Sequence, residues 1–269
     1  NPINVPMIVF AAIVPHSPLL LPSIGKEHRE KIGCTLTAIQ EIEQALYLVK
    51  PDTICMIAPH GIRYTDAYSV NLYEKYIGTF KTFGDFSTTV TAQSDFLLID
   101  HLQRKLREEN VPFTLTSNEE IDYGFSVPLF FLTPHLFNWK FIPLTPSMHD
   151  GKSHYDFGAQ LKRVLHAEQR RVAVIASADL SHKVSDESTG GPSEHGIAFD
   201  AAVCESTSKN DAQALSALGP EIVENVAQCG YRPIMTLLGT LHELNVTPKQ
   251  LCYEAPFGVG YLTVRYDVA

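Results

Sequence analysis

The sequence predicts an α/β fold: a single domain over residues 1–269, with a central mixed β-sheet flanked by helices. Three observations carry that expectation. Short apolar runs rich in β-branched residues recur along the chain, the segments between them have a helical period, and the two kinds alternate. That is the pattern of strands covered on both faces by crossover helices. The runs fall at residues 7–14, 53–58, 140–144, 172–176 and 260–264, and each reads as a buried strand. The amphipathic stretches fall at 27–49, 94–109, 155–169, 200–218 and 230–244, and each reads as a helix. Gly219-Pro220 and Thr247-Pro248 punctuate the last helical segments, and residues 185–193 (SDESTGGPS) form a loop by composition. No repeat or shift in composition marks an internal boundary.

Composition narrows the function. A chain of 269 residues that is 45 % hydrophobic can build a substantial core. Lys and Arg number 21 against 30 Asp and Glu, a formal charge of −9, with no basic run to neutralise a phosphate backbone, so nucleic acid is not an expected partner. The apolar run before Pro15 falls short of the roughly 20 residues a membrane helix needs, so no membrane is expected either. The five cysteines, at 34, 55, 204, 229 and 252, contain no CxxC pair and match neither a disulfide framework nor a zinc-finger spacing. Free thiols and a cytoplasmic setting are the expectation.

The chemistry-bearing residues are histidines that follow strands. The first strand runs into Pro15-His16-Ser17-Pro18, the second into Pro59-His60-Gly61, and the strand at 172–176 into Ser177-Ala178-Asp179-Leu180-Ser181-His182. Ligands of open α/β sheets bind at the carboxyl ends of the strands, so three such ends offer imidazoles to one crevice. Two neutral imidazoles and one anionic ligand make a first-row metal site with open positions, and a third imidazole beside it can move protons near neutral pH. For each histidine a second reading stands open, a ring that caps backbone carbonyls. For Asp179 the alternatives are orienting His182, holding a substrate group, or capping a helix after the strand.

The set VPHSPLL at 14–20, APHG at 58–61, DYGFSVPL at 122–129, SADLSH at 177–182 and QCGYRP at 228–233 resembles the catalytic B subunit of class III extradiol ring-cleavage dioxygenases (LigB-like). The resemblance extends to the MEMO-like branch of that superfamily. It implies a single α/β domain with a mixed sheet, non-haem Fe(II) bound by His16 and His60, His182 as the acid/base, and a catechol-type aromatic diol and O2 as substrates. Ring-cleaving members complete the metal site with Glu or a third His, whereas MEMO-like proteins resemble this chain in offering Cys, here Cys229. A thiolate shifts the preference toward Zn(II) or Cu. The other reading of Cys229 is a small buried hydrophobe at a helix start. Glu224, five residues upstream, ranks behind it as a ligand.

Tyr123 stands where ring-cleaving relatives usually carry His; it donates one hydrogen bond but carries no charge at neutral pH, and its other reading is a packing aromatic. The resemblance therefore leaves two functions open. One is an Fe(II)-dependent extradiol dioxygenase using His182, Asp179 and Tyr123 around His16, His60 and Cys229. The other is a MEMO-like metal- or peptide-binding protein without ring cleavage. Arg63 and Arg232 are candidate anchors for a substrate carboxylate. His149 and His154 are expected in a polar loop after the strand at 140–144, where bordering the crevice is the lesser reading, and His195 behind the loop 185–193, which is a candidate lid. The expected assembly is a homodimer or a pairing with a small partner subunit; the apolar residues of 94–109 and 127–137 read first as core and second as an association surface.

Overall fold

A computed structural model of the chain describes residues 8–167 and 170–269. In chain order the strands are β1 (Ile8–Val14), β2 (Thr53–Ile57), β3 (Tyr68–Asn71), β4 (Lys75–Phe80), β5 (Asp85–Gln93), β6 (Phe113–Thr116), β7 (Glu120–Ile121), β8 (Lys140–Thr145), β9 (Val172–Ser177), β10 (Val246–Glu254) and β11 (Tyr261–Val268). The α-helices are α1 (Pro22–Gly25), α2 (Gly33–Val49), α3 (Phe96–Glu108), α4 (Tyr123–Leu132), α5 (Gly151–His166), α6 (Glu194–Lys209), α7 (Ala212–Ser216), α8 (Pro220–Glu224) and α9 (Tyr231–Thr240).

Eight strands form one mixed sheet in the order β10-β11-β1-β9-β2-β8-β3-β6, and β5-β4-β7 form a small second sheet. The centre of the large sheet is parallel: β9 lies between β1 and β2, pairing Val14 with Ser177 on one side and Ile57 with Ala176 on the other. This register brings the carboxyl ends of β1, β2 and β9 together. Both faces of these strands are covered, which is why they read as continuous apolar runs. Ile13, Ile57 and Val174 pack with Leu102, Leu161 and Ile234 of α3, α5 and α9. Phe10, Met56 and Ile175 pack on the opposite face with Ile42 and Leu129 of α2 and α4. Each such side chain, fully removed from water, contributes about 1.5–3 kcal/mol.

The mixed α/β expectation holds for the sheet and the flanking helices, with several differences of detail. Residue 7 and the end of the helix expected at 155–169 lie outside the described residues. The segment 27–49 enters as a 3₁₀ helix over Lys26–Ile32 before α2 begins. The helix expected at 200–218 starts earlier, capped by Ser193, and breaks at Asn210, which takes a left-handed conformation before Asp211 caps α7. β10 and the strands between residues 68 and 121 were not anticipated. Cys34 and Cys252 form a disulfide, contrary to the expectation of free thiols. They are 218 residues apart in sequence, so only the folded topology, which sets the start of α2 against β10, reveals the pair.

Candidate metal centre

Three backbone segments converge above the carboxyl ends of β1, β9 and β2. The first is Pro15 to Ser17, whose Ser17 hydroxyl accepts a hydrogen bond from Tyr261 at 3.0 Å. The second is the turn after β2. The third runs from Ser177 to Lys183 and is tied down along its length: the amide of Ala178 donates to Val14, that of Leu180 to Gly260, that of His182 to Val226, and that of Ser181 to the Asp200 carboxylate at 2.9 Å. Against these segments sits the turn before α9. Gly230 is required there, because a Cβ at that position would lie 2.8 Å from both the Ala178 Cβ and the Asp179 carbonyl.

His16 Nε2 lies 3.2 Å from His60 Nε2 and 3.4 Å from Cys229 Sγ. Ligands about 2.0–2.3 Å from a shared ion, at angles between octahedral and tetrahedral, are separated by about 2.9–3.6 Å. Both distances from His16 are those of ligands to one ion, and all three donor atoms lie within 4.8 Å of one another.

The ring orientation of His16 is fixed by a chain of hydrogen bonds that starts in α4. Pro128 has no N–H to give the carbonyl four residues before it, so the Gly124 carbonyl is left without its helical donor. The Ser177 hydroxyl donates to that carbonyl at 2.5 Å. Having used its one proton, the Ser177 oxygen must accept from His16 Nδ1 at 2.9 Å. His16 is thus the Nδ1–H tautomer, and its Nε2 lone pair faces His60 and Cys229. This is the outer-shell support that metal-binding imidazoles need.

Electrostatics agree with ligation by neutral rings. Burial, reinforced by His182, lowers the His16 pKa to about 3, and burial followed by His16 lowers that of His60 to about 4. Neither proton competes with a cation at neutral pH. Burial, and secondarily the nearby Asp179, pushes the Cys229 thiol up, so binding a cation there displaces a proton.

His182 lines the same cavity. Its Nδ1 donates to the Leu180 carbonyl at 3.1 Å, so the neutral ring carries its lone pair at Nε2. Asp179 caps no helix. Its Oδ1 accepts the His16 amide at 2.9 Å, and Oδ2 lies 3.8 Å from His16 Nε2. Burial raises its pKa to about 6. Tyr123 stacks on His60 at 4.8 Å and meets His16 edge-on at 5.7 Å. Burial, with Cys229 and Asp122 nearby, keeps its phenol protonated.

The cavity holding these groups has a volume of about 340 Å³, and His60 and Tyr123 also border a second cavity of about 580 Å³. Arg63 and Arg232 line the first.

Several expectations fail. Glu224 ends α8, faces solvent and pairs with Arg232 at 3.4 Å, so it is no alternative ligand. His154 is buried in α5 rather than in a loop, with Nδ1 bonded to the Asp150 carbonyl at 2.7 Å. His149 lies in a separate pocket beside Tyr68, although its carbonyl accepts from Arg232 Nε at 3.1 Å. The loop 185–193 is no lid over the cavity: Ser188 is buried, its hydroxyl bonded to the Gly258 carbonyl, and His195 opens α6 outside the cavity lining. Sequence reasoning missed Ser177, Pro128 and Asp200. Ser177 stood inside a quoted motif, and the proline within an apolar helix was the available signal.

Fold and site together define a class: an α/β protein that brings His16, His60 and Cys229 together at the carboxyl edge of its sheet, with His182 in the same cavity. The model of the family "Catalytic LigB subunit of aromatic ring-opening dioxygenase" matches residues 10–264, and the chain belongs to that family. It is 25 % identical over 264 residues to protein CA_C1420 of Clostridium acetobutylicum, covering 95 % of this chain and 56 % of that protein. A MEMO1 family protein of Methanococcus maripaludis is 26 % identical over 192 residues, covering 67 % of this chain and 59 % of that protein. A MEMO1 family protein of Sulfolobus acidocaldarius is 23 % identical over 230 residues, 80 % of this chain and 72 % of that protein. The chain thus spans little more than half the length of the first two. The crystal structure of the uncharacterized protein JW3007 from Escherichia coli K12 shares the fold, with a TM-score of 0.65 at 16 % identity, covering 96 % of this chain and 99 % of that one.

Proposed function

We propose that the chain is a metal-dependent dioxygenase that opens the ring of a catechol-type diol beside its paired hydroxyls, with His16, His60 and Cys229 holding Fe(II). The observation that carries this reading is the convergence of the His16, His60 and Cys229 donor atoms, all within 4.8 Å of one another, in an open cavity that also holds His182. Fe(II) there would supply Lewis acidity toward the diol and the one-electron chemistry by which dioxygen reacts with a closed-shell ring.

The protein's own groups do the rest. His182, its Nδ1 committed to the Leu180 carbonyl, accepts a diol proton at Nε2 and later returns it. Tyr123, neutral and stacked on His60, offers one hydrogen bond to an oxygen at the open face. Both atoms of O2 enter the product, so no outside reductant is needed.

The thiol of Cys229 and the neutral Tyr123 favour a second reading, a MEMO-like centre that binds Zn(II) or Cu without turning over any diol. The two separate in one experiment. Protein purified without oxygen is assayed for metal, supplied with Fe(II), a set of catechols and air, and followed by oxygen uptake and the absorbance of ring-opened product. Uptake abolished by His16→Ala and His182→Ala supports the dioxygenase. Tight zinc or copper binding through Cys229 with no uptake for any diol supports the second reading.

A further inference from the structure

Cys34 and Cys252 stand apart from the proposed metal centre, and neither lines its cavity. Cys34 is the second residue of α2 and is exposed, whereas Cys252 lies in β10 and is 4 % exposed. Glu254 follows two residues later in the same strand, so its side chain leaves β10 on the face that carries Cys252. That face meets the start of α2. The N-cap of α2 is Ile32, which has no side-chain oxygen to give the first amides. Glu254 supplies one instead: its Oε1 accepts the Thr35 amide at 2.7 Å, and the Thr35 hydroxyl lies 4.0 Å from Cys252 Sγ.

Both sulfurs and a Glu254 carboxylate oxygen lie within 4.8 Å of one another. While the disulfide is closed, neither sulfur has a charge to offer a cation, so the oxidised pair holds no metal. Opening it changes the chemistry. Two thiolates about 2.3 Å from a tetrahedral ion stand about 3.8 Å apart. The Cα atoms of the pair are 5.9 Å apart, so side-chain rotation alone reaches that spacing. The positive end of α2 stabilises a thiolate at Cys34. A thiolate at Cys252, buried beside the Glu254 carboxylate, is costly unless a cation lies between them. Two thiolates and a carboxylate suit Zn(II) or a similarly thiophilic ion, and the exposed side of Cys34 leaves room for water as a fourth ligand.

We propose that Cys34, Cys252 and Glu254 form a second, redox-gated metal site: a cross-link when oxidised, a Zn(II) site when reduced. A dithiol reductant opens it. One thiolate of the reductant attacks the exposed Cys34 Sγ, the sulfur–sulfur bond breaks, and Cys252 leaves as a thiolate and takes up a proton. The second thiol of the reductant then displaces Cys34 and closes the reductant's own disulfide, so two electrons and two protons have passed to the protein. Zn(II) replaces both protons. The site does not depend on the diol reading.

The test uses Cys229→Ser protein, in which the first centre has no thiolate, and Co(II), whose thiolate complexes absorb strongly in the near ultraviolet. The protein is reduced with dithiothreitol, freed of it without oxygen, and titrated with Co(II) and then Zn(II) beside the oxidised form. Reduced protein is expected to show the thiolate band, to lose it when Zn(II) displaces Co(II), and to release metal on reoxidation. Oxidised protein shows no band. Cys34→Ser, at an exposed position, is expected to abolish the band with circular dichroism unchanged. Glu254→Gln keeps an oxygen for the Thr35 amide but loses the charge. It is expected to weaken Zn(II) binding by at least the roughly tenfold that loss of an outer-shell partner costs.

An equal response from reduced and oxidised protein overturns the site, as does a disulfide that dithiothreitol cannot open in the folded protein. A band that survives Cys34→Ser assigns the thiolate to Cys55 or Cys204 and overturns it too. An affinity unchanged by Glu254→Gln removes the third ligand, and with it the site as assigned.

Discussion

Ser177 determines which nitrogen of His16 is available. Its hydroxyl sits between the Gly124 carbonyl and His16 Nδ1, and both partners lose their hydrogen bond when it is removed. Ser177→Ala is therefore expected to weaken Zn(II) binding by about 10–100-fold, the usual cost of losing an outer-shell partner, with little change in secondary structure. Titration against a competing chelator, alongside circular dichroism, checks this. An unchanged affinity would mean that the tautomer is set elsewhere.

Asp200 gives a pH-dependent outcome. It bonds the Ser181 amide and the Tyr253 hydroxyl, and burial raises its pKa to about 6 from an ordinary value of about 4. The folded state thus binds more protons than the unfolded chain between those values, so this group's contribution to stability falls as pH rises through them. Asn at this position keeps the shape without the charge. Asp200→Asn is expected to gain on the parent protein by up to about 3 kcal/mol between pH 4 and pH 7 in denaturant unfolding. A stability difference independent of pH would contradict the assignment.

At the scale of elements, the parallel centre was legible because strands buried on both faces leave continuous apolar runs, and because α2, α3, α5 and α9 keep an amphipathic period. The sequence also showed His16, His60 and His182 following strands, and the sheet order makes those strands neighbours. What was hidden depends on pairing between distant segments. β5 alternates exposed and partly buried residues in a small sheet, and β10 lies at the end of the sheet order, paired with β11, so neither leaves an apolar run. Cys34 and Cys252 are joined by topology. The Pro128, Gly124, Ser177, His16 chain is likewise a relation between α4, β9 and the turn after β1, with no trace in spacing.

At the scale of the whole molecule, the centre is an accessory to the core rather than part of it. His60 keeps one edge in water while its ring faces His16 and Tyr123, and the side chains that carry stability lie within the sheet and beneath its helices. His60→Ala is therefore expected to unfold cooperatively at the same denaturant midpoint as metal-free parent protein, to within about 0.5 kcal/mol. Added metal should separate the two. The parent gains about 2.7 kcal/mol at a free ion concentration one hundred times its Kd, and the variant gains none. Loss of the folded state in the metal-free variant would assign His60 a structural role.

One ion shared by His16 at the end of β1, His60 across β9 and Cys229 before α9 would tie the three segments together. X-ray absorption spectroscopy on stoichiometrically loaded Zn(II) protein tests it most directly. The expected spectrum contains one sulfur at about 2.3 Å and two imidazole nitrogens at about 2.0–2.1 Å, with the sulfur shell lost in Cys229→Ser. A shell of nitrogen and oxygen alone, or a sulfur signal that survives Cys229→Ser, would contradict it.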